Sequence, residues 1–182
     1  MLSAEYGFST LLPHMMIQQG WALVHLGRVE EGFEQIGQGT AIMPPTMGAA
    51  HLYRRFLAEV YLLAKRDDDG WRVVSEGLRD LEGSKRHVDH AELYRLKGEL
   101  LLLQSASAHA QAESCFREAI EIAQRQQAKS WELRATMSLA RLLAKQGRRD
   151  EARAMLAEIY NWFTEGFDTA GLKDAKTLLD EL

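Results

Sequence analysis

The sequence predicts an all-α protein: a right-handed α-solenoid, or α–α superhelix, of four helical hairpins closed by a C-terminal helix. Three observations carry this. Only three prolines occur, Pro13, Pro44 and Pro45, leaving uninterrupted stretches too long for a turn-rich all-β chain. Apolar residues recur at helical spacing. Small residues return at matched positions, as stacked repeats require. The chain has 182 residues, 46% of them hydrophobic, enough for one globular domain over 1–182 with no covalent staple.

The first helix of each repeat carries a small residue near its middle, at Gly20, Ala58, Gly98 and Ala140, so successive spacings are 38, 40 and 42. A second small residue follows 12 residues later at Gly32, Gly70 and Ala152, and 14 later at Ala112, where Ser105–Ala108 lengthens the loop. Gly27 and Gly147 stand where a helix needs a left-handed exit, and so mark hairpin turns. Each second helix then shows an i, i+4, i+7 triplet on one face: Gly32/Ile36/Gly39, Gly70/Val74/Gly77, Ala112/Phe116/Ala119 and Ala152/Leu156/Ile159. Small residues flanking a large one let a neighbouring helix approach closely.

Taken in order, helices are predicted over 11–26, 29–43, 48–65, 70–82, 88–104, 109–127, 131–146 and 149–163. They pair into repeats at 11–43, 48–82, 88–127 and 131–163. Thr10 is the expected cap that makes Pro13 harmless in a first turn, and Pro44–Pro45 marks the first connection between repeats. Ser130 and Asp150 are expected to cap the helices that follow them. A final helix over 169–182, with Leu172, Ala175, Leu178 and Leu179 on one side, is expected to close the stack.

Helical hairpins with small residues at these two places resemble the tetratricopeptide family, although the period exceeds that family's usual 34. Longer units of this kind resemble the C-terminal domains of large bacterial signalling ATPases, including transcription activators of the MalT kind and class III adenylate/guanylate cyclases. The phrasing of Ala91-Glu-Leu-Tyr-Arg-Leu-Lys-Gly-Glu-Leu-Leu-Leu, Ala112-Glu-Ser-Cys-Phe-Arg-Glu-Ala and Gly147-Arg-Arg-Asp-Glu-Ala is similar to the end of the cyclase-associated proteins. The resemblance departs at Gly39, Gly77 and Gln19. It implies a non-catalytic interaction or regulatory module, and carries no cyclase, P-loop or DNA-binding segment with it.

Bulk chemistry narrows the function classes. Twenty-two Lys and Arg against 26 Asp and Glu give a formal net charge of −4, with no basic stripe for a nucleic acid. The longest apolar run, Val60–Ala64, is far short of the roughly 20 residues a membrane helix needs. A single cysteine, Cys115, forms no internal disulfide and suits a reducing compartment, so a cytoplasmic location is predicted. The first basic residue is Arg28, so no signal peptide is expected. His87 and His90 flank Asp89 without further ligands at zinc spacing, and Asp67–Asp69 lacks the alternation of a calcium loop; no metal and no cofactor are expected. Cys115 reads as a small inert hydrophobe, and Trp21, Trp71, Trp131 and Trp162 as packing or end-of-helix anchors.

The candidate functional surface is the concave side, lined by the first helices. Aligning the repeats picks out His14, Ile17, Trp21 and His25; Arg55, Glu59, Leu62 and Leu63; Arg95, Glu99, Leu102 and Leu103; Arg134, Met137, Arg141 and Lys145. Of these Trp21, His25, Arg55, Glu59, Arg95, Glu99, Arg134 and Arg141 are the candidate partner-binding residues. Arg95, Arg134 and Arg141 could form a basic rail for a carboxylate-bearing peptide, or Arg55 and Arg95 could simply pair with Glu59 and Glu99 four residues on. The expected partner is a protein or peptide, including other domains of a larger parent. Self-association through the glycine-rich first repeat and small-ligand sensing in the groove remain as alternatives.

Overall fold

The computed structural model describes residues 11–43, 50–81 and 89–182. Among these residues the chain forms nine α-helices and no strand: α1 (Leu11–His25), α2 (Val29–Ala41), α3 (Ala50–Leu63), α4 (Asp67–Leu81), α5 (His90–Gln104), α6 (His109–Arg125), α7 (Lys129–Lys145), α8 (Arg149–Tyr160) and α9 (Ala170–Glu181). A single 3-10 turn, Ala106–Ala108, joins α5 to α6. None of these helices is long and apolar enough to cross a membrane. Thr10, Pro44, Pro45 and His87 lie outside the described residues. The chain divides into two compact units, residues 1–83 and 84–182, within the one domain predicted over 1–182.

Four of the turns share one solution. Gly27, Lys65, Gln127 and Gly147 all have positive φ, between 55° and 82°. At each, the following N–H reaches back five residues, from Arg28 to the Leu23 carbonyl, Arg66 to Tyr61, Ala128 to Ala123 and Arg148 to Leu143, all at 2.9 Å. This Schellman pairing satisfies carbonyls that a helix end otherwise leaves open. It also decides where the next helix begins. Ser130 and Asp150 therefore sit inside first turns, and Ala128 and Arg148 occupy the cap positions without a side-chain cap bond. In place of a cap, Arg28 and Arg148 reach forward to Glu31 and Glu151 three residues on, as Arg66 does to Asp69. The predicted start at 70 moves to Asp67, because Asp67–Asp69 join the first turn of α4, where carboxylates meet the positive end of the helix dipole.

In the first unit α1 packs on α2, α3 on α4, and α1 on α3. The α1–α2 approach is set by glycine. A Cβ added to Gly20 would lie 2.6 Å from the Gly32 carbonyl oxygen, and one added to Gly32 would lie 2.7 Å from that of Gly20. Gly39, where alanine was expected, lies equally close, since a Cβ there would be 2.9 Å from the Pro13 carbonyl oxygen, and Ile17, Val24, Ile36, Tyr53 and Val60 are buried in this unit.

In the second unit α5 packs on α6, α6 on α7, α7 on α8 and α5 on α7, while α9 lies against both α7 and α8. Leu172, Ala175, Leu178 and Leu179 of α9 join the core of Phe116, Leu139, Leu143 and Leu156. The cap predicted over 169–182 is therefore a helix covering the last hairpin. Phe116 is fully buried, and its ring lies where a Gly98 Cβ would be, with Cε1 2.4 Å away.

Candidate functional site

In the first unit the α1–α3 face gathers aromatic rings around one carboxylate. Glu59, a buried residue of α3, accepts a 2.8 Å hydrogen bond from the Trp21 indole Nε1 of α1. The Trp21 ring also meets His25 at 4.2 Å and, edge-on, Phe56 at 5.8 Å. The Arg55 guanidinium lies 3.9 Å from the Phe56 ring centroid, a favourable cation–π placement. His25 is exposed and Trp21 half-buried. Trp21, His25, Arg55 and Glu59 are thus brought together, but Glu59 faces inward and serves to fix Trp21.

In the second unit the α5–α7 face is organised by a residue the sequence reasoning passed over, Glu92. Its carboxylate is 2% exposed and takes both prongs of the Arg95 guanidinium, Nη2 to Oε1 at 2.7 Å and Nε to Oε2 at 3.0 Å. Arg134 of α7 adds a third contact, Nη2 to Oε1 at 2.8 Å. The remaining Arg95 nitrogen stands 3.5 Å from Glu99 Oε1 and from Ser138 Oγ, and Ser138 donates to Glu99 at 2.6 Å. Two arginines and two glutamates so balance one another, with the forked geometry that makes Arg–carboxylate pairs strong.

Two of the three residues of the expected basic rail, Arg95 and Arg134, therefore hold the chain's own carboxylate. Arg95 is only 8% exposed. Arg141 is exposed on α7, and Lys145 lies one turn beyond it, also exposed. Ile17 and Met137, expected on the groove, are buried in the core instead, because the close helix approach leaves no room for them at the surface. Glu92 was legible in principle: it stands three residues before Arg95, one of the two spacings that pair charges on a helix.

The other chemical candidates are structural. Cys115 is buried, and burial pushes its thiol above the ordinary value, which disfavours the nucleophilic thiolate. No group of His, Cys, Asp and Glu suited to a metal occurs among the described residues. Of the four tryptophans Trp162 is exposed, 57%, beside Phe163 and under the Lys129 ammonium. Ser138 has a carboxylate partner yet is buried, and its hydroxyl proton is donated to Glu99.

Also in the second unit, Glu113, Arg117, Arg148 and Glu151 form a ring of alternating charge between α6 and the start of α8. Burial opposes ionisation of Glu113, but hydrogen bonds from Arg117 and Arg148 outweigh it and hold the carboxyl below its usual range. The chain was compared with family models, with curated proteins and with solved structures, and none of them matches it.

Proposed function

We propose that the chain is a tetratricopeptide-like α-solenoid of four hairpins with a capping helix, working as a non-catalytic protein-interaction module. We infer further that it is the C-terminal part of a larger bacterial signalling protein of the cyclase or ATPase kind. The second inference rests on the resemblance of Ala91–Leu102, Ala112–Ala119 and Gly147–Ala152 to those proteins. The observation that carries the first is that the first helices of successive hairpins pack on one another within each unit, α1 on α3 and α5 on α7. In the second unit these helices are buried along most of their length and reach the surface near their C-terminal ends.

There the second unit offers Leu103, 47% exposed, with Arg141 and Lys145, a mixed apolar and basic surface suited to an acidic, partly apolar peptide. Arg95, Glu92 and Arg134 serve it as a fixed floor, since a bidentate pair restricts the side chains and holds α5 against α7. The polar groups brought together are ion-paired to one another, with Glu92 and Arg95 buried, which supports binding rather than turnover.

The test is an NMR titration of the whole chain with a decapeptide of Glu, Asp and Leu, set against one in which Lys replaces the acids. Amide shifts on α5 and α7 for the acidic peptide, lost in Arg141→Glu/Lys145→Glu, are expected. Equal shifts for both peptides, or shifts that persist in the double variant, would refute this surface.

A further inference from the structure

We infer that α1 carries a self-complementary face through which the chain pairs with a second copy of itself. Leu11, Met15, Gln18, Ala22 and Leu26 are all exposed. Their spacings of four, three, four and four put them on one side of the helix, with Leu26 continuing the helical bonding to the Ala22 carbonyl. Pro13, Ile17, Gly20 and Val24 bury the opposite side. Leu11 is 47% exposed, Met15 62% and Leu26 75%. A solvent-facing helix stripe with three large apolar side chains and no charge is normally covered.

Charge and order identify what covers it. From Leu11 to Gly27 there is no Asp, Glu, Lys or Arg, so a charged peptide finds no counter-charge, whereas a second copy meets no repulsion. The stripe also reads nearly the same in both directions. An antiparallel two-fold pairing sets Leu11 against Leu26 of the second copy, and the large Met15 against the small Ala22. Gln18 then falls at the axis facing its own equivalent, where two amides can each donate and accept. A two-fold interface needs this reciprocity, and a polar residue at its centre fixes the register. Three large apolar side chains per copy amount to less than the standard interface of roughly 1,600 Å², so the dimer is reversible. The stripe borders Trp21 and His25 on α1 without including them, so the pairing stands independently of the groove's occupant.

Sedimentation equilibrium over about a hundredfold range of concentration reads the association directly. The full chain is expected to pass from monomer to dimer, and Met15→Glu to remain monomeric with an unchanged circular-dichroism spectrum and with an unchanged melting temperature at concentrations where the wild type is itself monomeric. Met15→Lys and Ala22→Glu are each expected to be monomeric alone and to form a heterodimer when mixed. Gln18→Cys should oxidise to a disulfide-linked dimer faster than Gln38→Cys, an exposed control on α2. A wild-type chain that stays monomeric throughout overturns the proposal. So does association that Met15→Glu leaves intact, or equally fast oxidation at Gln38→Cys. A monomer whose melting temperature falls in Met15→Glu would show instead that another segment of the same chain covers the stripe.

Discussion

Replacing Gly98 with alanine tests the close packing of α5 on α6. The new Cβ would lie 2.4, 2.8 and 2.9 Å from Cε1, Cδ1 and Cζ of Phe116, distances that side-chain carbons do not tolerate. Phe116 is fully buried among Leu133, Leu139 and Leu143, so the ring cannot swing away without displacing them. Overpacking of this kind costs about 3 kcal/mol at the upper end of its usual range. The helix propensity gained on replacing glycine returns about 1 kcal/mol. The net expectation is a loss of about 2 kcal/mol, a fall in melting temperature on the order of 10 °C for a unit of this size. Urea unfolding followed by circular dichroism measures it, with Gly37→Ala as the control, since a Cβ there meets nothing within 4 Å; that variant should be stabilised by about 1 kcal/mol. The fourth hairpin already pairs Ala140 with Leu156, both buried, at the positions of Gly98 and Phe116. Gly98→Ala/Phe116→Leu copies that pairing and should recover at least about 1 kcal/mol of the coupling in a double-mutant cycle. Gly98→Ala as stable as the wild type, or two additive substitutions, would refute the reasoning.

The other two predictions concern charge. Arg95→Ala removes the two-pronged partner of a carboxylate that is 2% exposed, leaving Arg134 alone on Glu92; a loss of about 3 kcal/mol is expected, the lower end for a broken buried pair, and a loss below about 1 kcal/mol would place the pair at the surface. Because the folded carboxyl of Glu113 is held below its unfolded value, its contribution is present above the unfolded pKa of about 4.3 and disappears as pH falls through the lower folded value. Melting temperatures from pH 7 to pH 2 should therefore fall more steeply for the wild type than for Glu113→Gln, and parallel curves would remove Glu113 from the acid response.

Much of the architecture was written in local pattern. The placement of Gly27 and Gly147 announced two left-handed turns, because a helix exit at positive φ is a property of a single residue. Lys65 and Gln127 adopt the same conformation without that signal; their turns are recovered only by alignment with the glycine-bearing ones. The small residues at Gly20, Gly32 and Gly98 marked where backbones or rings meet. Helix starts were less legible. Ser130 and Asp150 look like caps, yet the Schellman turn ahead of each helix fixes its first residue without them.

The candidate face was half legible. Trp21, Glu59, Arg95, Glu99 and Arg134 were placed on first helices correctly, since spacing along a helix determines which face a residue occupies. The Arg95–Glu99 contact, four residues apart on one helix, was foreseen; the partners on other helices were not, since a helix face says nothing about what stands opposite. Glu59 holds Trp21 at 38 residues' separation, Glu99 holds Ser138 at 39 and Arg134 reaches Glu92 on the preceding first helix. The sequence by itself determined the helices, several of the turns between them and the positions of close contact, because these follow from local periodicity and from which residues lack side-chain bulk. Only the tertiary structure decided that Arg95 and Arg134 converge on Glu92, leaving Arg141 and Lys145 as the exposed cations of that face. The reason is physical: long charged side chains choose partners by the register of helix on helix, here of α5 on α7, and a pattern read along one helix does not contain that register.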